Sequence, residues 1–346
     1  TNGILYTGHV EAEWAEYRTI LDEAGMTAEL FFDVPGNHDA YSEGSLASYL
    51  AYSIQGEAAS TTQPSWTLDF PFGAYHFLGV ATPGNDGAPW PLDNVELSGW
   101  ELDATAAALD ANADASLTFV FGHHDFRGAS GGGTVRDLLV DAGGLHYFHG
   151  HEHDYGVRHD GADGILRARI DSLGQGFSEH TFAVVAVDSD AIAWTPADVE
   201  SPWPLVLVTA PVDGRLGPSD DVSNPYAPPV PGSCVDAPIR ALVFDSAGVE
   251  WVQYRWDDGP WADMVQRPDR PEQWRARSDV TGLAVGWHTL TVSAAGTARN
   301  RSSIQVEILD EPCVLGEEDP WPGGDGDAEG DADADADGDA DGDVDA

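Results

Sequence analysis

The chain has 346 residues, 60 acidic against 15 basic, for a formal net charge of −45. Every basic residue is arginine; lysine is absent. That balance excludes a nucleic-acid-binding surface, which needs a basic face. No run of about 20 apolar residues exists, so no membrane span is expected in this stretch. The length exceeds the usual single domain, and two are expected.

In chain order, residues 11–24 read as a helix with Trp14, Tyr17, Ile20 and Leu21 on one face. Leu30–Val34 reads as a buried strand and is followed by Gly36-Asn37-His38-Asp39. Residues 45–52 read as a short helix. Residues 66–70 and 75–80 flank Pro71-Phe72-Gly73 as a hairpin. The alanine-rich stretch 97–110 is helical. Leu117–Phe121 is a strand followed by Gly122-His123-His124, and Leu145–Phe148 a strand followed by Gly150-His151-Glu152-His153. Residues 165–170 and 181–187 are expected in a second sheet. The fold class is α/β layering over residues 1–212.

Strand, then glycine, then a metal-type ligand, three times over, places these side chains at the carboxyl ends of neighbouring parallel strands, where open α/β sheets bind ligands. Imidazole with an amide or carboxylate oxygen suits Mn, Fe or Zn better than Ca. Gly-Asn-His-Asp, Gly-His and Gly-His-x-His, in this order, resemble the calcineurin-like metallophosphoesterases, and the spacing and sequence around Glu13-Trp14 most resemble the subgroup that includes eukaryotic transmembrane members with an insert before the Asn-His block. The resemblance covers roughly residues 1–200. It implies a two-sheet β-sandwich flanked by helices and two divalent metal ions. One ion would be held by Asn37, His123 and His151 and the other by His153. His38 would stabilise the transition state or protonate the leaving oxygen, with Asp39 orienting it. The small phosphoester substrate would be held by metal charge, which a negative protein tolerates.

The family's upstream blocks, Asp-x-His and Gly-Asp-x-x-Asp, are not in the chain. Thr7-Gly8-His9 stands near where Gly-Asp would be sought. His9 is either a substituted bridging ligand or part of the insert, and the second reading implies a domain incomplete at its N-terminus. His124, His146, His149 and His159 read as core, supporting or surface histidines. Asp125 and Asp154 are candidate supporting carboxylates. Glu152 is expected to face solvent, and Arg127 is a loop arginine or a phosphate contact.

A proline-rich linker, 213–231, is expected to lead into a second domain over 232–315. Segments 239–244, 251–256, 273–277, 289–294 and 304–308 read as short strands separated by turns, the pattern of an immunoglobulin-like β-sandwich. Residues 280–292 resemble the late strands of bacterial immunoglobulin-like surface modules. Trp251, Trp256, Trp261 and Trp274 read as core and edge packing, with a carbohydrate site as the other reading. Cys234 and Cys313 bracket this domain. They read as a disulfide, implying an oxidising compartment, or as two buried thiols. Residues 316–346, rich in Asp, Gly and Ala, are expected to be a disordered tail. Its Asp335–Asp339 run lacks the glutamate of a calcium loop. Such tails resemble stalks that precede a surface anchor. The combined expectation is an exported bacterial hydrolase of phosphate mono- or diesters, extracellular, on the cell surface or periplasmic. The alternative is a metal-poor surface-binding protein built on the same folds.

Overall fold

The computed structural model describes residues 11–40, 43, 45–71, 73–83, 97, 99–127, 129–144, 146–159, 161–174, 180–188, 191–216 and 223–314. His9 and the acidic tail therefore lie outside the described residues. Helix α1 (Glu11–Glu23) carries Glu11 and Glu13 in its first turn, where carboxylates suit the helix dipole. It buries Trp14 and Leu21, whereas Ile20 is 57% exposed, so the apolar face is narrower than the spacing suggests. Trp14 packs edge-on to Tyr49 of α2 (Ala47–Tyr52). Ser53 then caps α3 (Ile54–Ala59), its Oγ accepting from Gly56 N at 2.9 Å.

Leu30–Val34 is not a strand, against expectation. Residues 31–36 form an extended strap whose polar partners come from the helices instead of a sheet. The Asp33 carboxylate accepts from Ile54 N (2.9 Å), Gln55 N (3.0 Å) and Tyr17 OH (3.0 Å), while Tyr49 OH donates to the Asp33 carbonyl (2.8 Å). The flank of β2 is already taken by β1, which leaves the strap no ladder there.

Strands β1 (Ser65–Phe70) and β2 (Gly73–Val80) form the expected hairpin. Helix α4 (Gly99–Ala111) leads to β3 (Leu117–Gly122), and α5 (Gly132–Asp141) leads to β4 (His146–His149). Then come β5 (Gly156–His159) and β6 (Leu166–Arg169). The sheet order is β1-β2-β3-β4-β6-β5, with β2, β3, β4 and β6 mutually parallel. Stretch 165–170 thus joins the first sheet and not a second one, because β6 lies alongside β4.

Alternation sorts the two faces. Leu78, Val80, Val120 and Tyr147 pack against α4 and α5 through Leu109, Val135 and Leu139. On the other face, Tyr75, Phe119, Phe148 and Leu166 meet Ile192, Val187 and Trp194 of the hairpin β7 (Thr181–Asp188)–β8 (Ala191–Asp198).

The later strands are β9 (Leu205–Ala210), β10 (Val230–Pro231), β11 (Ala237–Phe244), β12 (Trp251–Trp256), β13 (Ala262–Asp263), β14 (Val265–Arg267), β15 (Arg270–Ser278), β16 (Gly286–Ala295) and β17 (Arg299–Leu309). They form two sheets, β10-β17-β16-β12-β13 and β14-β15-β11-β9. The five expected segments fall in β11, β12, β15, β16 and β17. Val208, Ile239, Val243 and Trp274 of one sheet face Val252, Leu290, Val292 and Val306 of the other in a shared core. Strand β9 lies within the stretch read as the first domain, yet it pairs with β11. Residues of the expected linker are packed as well: Asp213 Oδ1 accepts from Gln305 N at 3.0 Å, and Val230-Pro231 pairs with β17. The Arg240–Asp188 ion pair, at 2.7 Å, ties β11 to β7. Cys234 and Cys313 form a disulfide across a sequence separation of 79. Among the described residues no helix is long and apolar enough to cross a membrane.

Candidate metal centre

Strands β3 and β4 are parallel neighbours, paired through Phe121↔Phe148. The chain leaves both at the same edge, and Gly150 N donates to the His123 carbonyl at 3.0 Å. This bond clips the two histidine segments together. Asn37 arrives from the strap and is 5% exposed. Its Oδ1 lies 2.9 Å from His123 Nε2. Asp39 holds that turn, its Oδ2 accepting from Gly36 N at 2.8 Å. A Cβ on Gly36 would stand 3.0 Å from the His123 ring, so any larger residue there would press on that ring.

His123, His124 and His151 each offer a ring nitrogen within 4.8 Å of the other two. His151 Nδ1 is 3.3 Å from His123 Nε2, and the His124 and His151 ring centroids are 4.3 Å apart. From its sequence His124 reads as a core, supporting or surface histidine. It is in fact 2% exposed, but it also faces the site. Its Nδ1 is 2.8 Å from Thr82 Oγ1, and Tyr147 OH donates to its carbonyl at 2.6 Å. Its Nε2 is buried with no hydrogen-bond partner. With Nδ1–H donating to Thr82, Nε2 presents a lone pair, the state a metal ligand requires.

Burial, reinforced by the neighbouring charges of His151, His38 and His153, pulls the His123 pKa down to about 3. Burial, with His123, His151 and His149 close by, takes His124 down to about 2. Both rings are therefore neutral at ordinary pH, as ligation needs. An orphaned buried nitrogen, three clustered imidazoles and an amide oxygen fit one borderline-soft divalent ion.

His153 stands outside the three-imidazole group, although its charge is felt at His123, as is that of His38. His151 and His153 take left-handed backbone conformations, φ 74° and 54°. Such conformations cost an L-residue about 1–2 kcal/mol and concentrate at functional sites. Asp125 and Asp154 are drawn to arginines instead: Arg127 Nε donates to Asp125 at 2.7 Å, and Arg169 pairs with Asp154. Arg127 is thus held beside Asp125. Glu152 is exposed as expected, its Oε2 3.6 Å from His149 Nδ1. His146 and His159 pack against the Tyr226 ring.

No family model matches the chain. It is 26% identical over 326 residues to Transmembrane protein 62 of Mus musculus, with 88% of this chain and 47% of that protein covered. It is 24% identical over 361 residues to a protein of Arabidopsis thaliana named as a candidate metallophosphoesterase, with 87% and 48% covered. The chain spans about half the length of these curated relatives. Among solved structures, the inner-membrane-complex anchor GAP50 of Plasmodium matches 40% of this chain and 50% of that one, at 14% identity and a TM-score of 0.29, too low to carry an argument.

Proposed function

We propose that the full-length protein hydrolyses phosphate mono- or diesters with divalent metal ions. The observation that carries this reading is the convergence of Asn37, His123, His124 and His151 at the carboxyl ends of β3 and β4, with the His124 Nε2 left unpartnered. The similarity to the Arabidopsis protein supports the same chemistry.

Asn37, His123, His124 and His151 would hold one ion, and His153 is the side chain the family resemblance assigns to a second. When bound, such ions supply Lewis acidity toward a phosphoryl oxygen. His38, one residue from Asn37, would give a proton to the leaving oxygen through its imidazole, the role the family resemblance assigns it. Asp39 fixes the turn that presents both residues. Burial of the His123 and His124 rings keeps them from competing for protons with the leaving group.

The two curated relatives match 88% and 87% of the chain. The later two-sheet unit is proposed as part of the working protein, since β11 pairs with β9 and Arg240 pairs with Asp188 of β7. Disulfides persist in oxidising compartments, so the Cys234–Cys313 bond supports a location outside the cytoplasm. The test is turnover of aryl phosphate mono- and diesters by the full-length protein with added Mn. His123→Ala should abolish both activity and metal binding. His38→Ala should lower kcat about 10²-fold or more and leave metal binding intact. Metal-independent turnover, or full activity in His123→Ala, would overturn the reading.

A further inference from the structure

The tryptophans of the later unit face two ways. Trp274 is a core residue, 6% exposed. Trp256 is half-buried against the core, its Nε1 donating to Ser278 Oγ at 3.0 Å. Trp251 and Trp261 lie outside. On β12, Val252 and Tyr254 enter the core, so Trp251, Gln253 and Arg255 point outward. Strand pairing extends these into rows across the outer face: Trp251–Ala295–Arg299, Asp263–Gln253–Ser293–Arg301 and Arg255–Thr291–Ser303. Trp251, Gln253, Trp261, Arg299, Asn300 and Arg301 line a groove of about 490 Å³ there.

The charge on this face is unusual for the chain. Several arginines elsewhere are matched with aspartates, as in Arg240–Asp188, Arg267–Asp269 and Arg277–Asp236. Among the described residues, Arg255, Arg299 and Arg301 have no ion-pair partner, in a protein with four times as many acidic as basic side chains. Asp263, the carboxylate of the middle row, is engaged by Gln253 Nε2 at 2.7 Å. Arg299 and Arg255 lie over the Trp251 and Trp261 rings, Cζ to centroid 5.0 and 4.7 Å, which pre-orients the guanidinium planes. The Arg255 Nε is buried and without a hydrogen-bond partner.

Two indole faces offer flat apolar platforms. Gln253 and Ser293 offer neutral polar groups. The guanidinium groups offer forks shaped for carboxylate or sulfate oxygens. One ligand class uses all three: rings with apolar C–H faces, many hydroxyls and sparse anionic groups. We infer that this groove binds an anionic glycan, pyranose rings carrying carboxylate or sulfate groups. A nucleic acid suits it less, because the stacking tracks that hold single strands are lined with positive charge over many phosphates. This groove offers two cations, Arg299 and Arg301, with Arg255 against the Trp261 ring beside them, on a chain of net charge −45.

Tryptophan fluorescence and calorimetry on the full chain would test this with a short oligogalacturonate, a heparin oligosaccharide, a neutral malto-oligosaccharide and an oligo-dT of similar length. EDTA keeps divalent ions from bridging the acidic tail to an acidic ligand, and makes the outcome independent of the metal centre. One or both anionic saccharides should bind, more weakly as salt rises, and tell carboxylate from sulfate. Trp251→Ala, Trp261→Ala and the Arg299→Gln/Arg301→Gln pair should each weaken binding about 10-fold. These variants should keep the wild-type melting temperature, since all four side chains lie on the outer face. No binding of either anionic saccharide, equal binding by all variants, or equally tight binding of the malto-oligosaccharide or oligo-dT would overturn the inference.

Discussion

Asn37 Oδ1 and His123 Nε2 meet at 2.9 Å across 86 residues of sequence. The strap that delivers Asn37 forms no strand, so the site depends on how that strap is fastened as well as on the sheet beneath it.

Calorimetry with Zn or Mn on a chain ending at residue 314 should find about one specific ion per molecule, because the three-imidazole group is the metal-type cluster of the described residues. Ending the chain there removes loose binding by the acidic tail. His124→Ala should weaken affinity about as much as His151→Ala, whereas His149→Ala should change it little. Wild-type affinity in His124→Ala would remove that residue from the ligand set.

Gly122→Ala should damage the site without touching a ligand. A Cβ there would stand 2.1 Å from the Tyr147 hydroxyl, which holds the His124 carbonyl. Tyr147 is fully buried, so the clash has no easy outlet. Overpacking of this kind costs about 1–3 kcal/mol. Thermal melting should record that loss, and metal titration a fall in affinity.

Asp33→Ala should loosen the strap. It would leave the Ile54 and Gln55 amides and the Tyr17 hydroxyl without their acceptor. The expected loss is about 2–3 kcal/mol, with weaker metal binding through displaced Asn37. Hydrogen exchange at Ile54 and Gln55 should accelerate; unchanged rates would show that the strap is held by other contacts.

How legible the site was can be traced to individual residues. His123 and His151 were readable because strand, glycine and ligand recur locally, and parallel pairing then brings the strand ends together. His124 was not, since a turn residue beside a ligand has no fixed face until Thr82 and Tyr147 seize it. Leu30–Val34 carried the composition of a strand, but Asp33 found backbone amides in α3, a partner distant in sequence. Trp251 and Trp274 look alike by composition. Only strand parity sends one outward and the other into the core, and parity depends on where each strand begins. The pairing of β9 with β11 is likewise non-local and leaves no mark on either segment.

Stability of the later unit should depend on pH through His288 and Asp257, whose Nδ1 and Oδ2 are 2.7 Å apart. Burial of the His288 ring opposes its charge, but the Asp257 and Ala284 oxygens outweigh this and raise its pKa. Burial also opposes the Asp257 charge, and the bonds from His288 and the Thr289 amide overcome it, lowering that pKa. The histidine contribution is fully present below its unfolded pKa of about 6.5 and fades as pH rises through the higher folded value. The aspartate contribution is present above about 3.9 and fades as pH falls through the lower folded value. The melting-temperature difference between wild type and His288→Gln should therefore peak between these limits and vanish in alkali.

Reduction of Cys234–Cys313 should lower the melting temperature of the same unit. Closing a loop of this length is worth about 4 kcal/mol by chain entropy, with measured gains often smaller. An unchanged melt after complete reduction would assign the stability to the core alone.

The position of β9 decides where this protein can be cut. Removing everything before residue 232 leaves one side of β11, from Arg240 to Phe244, with unanswered amides and carbonyls. Such an edge is a template for pairing with another molecule. Residues 232–314 alone should self-associate edge to edge as concentration rises, while a piece beginning at residue 203 should stay monomeric.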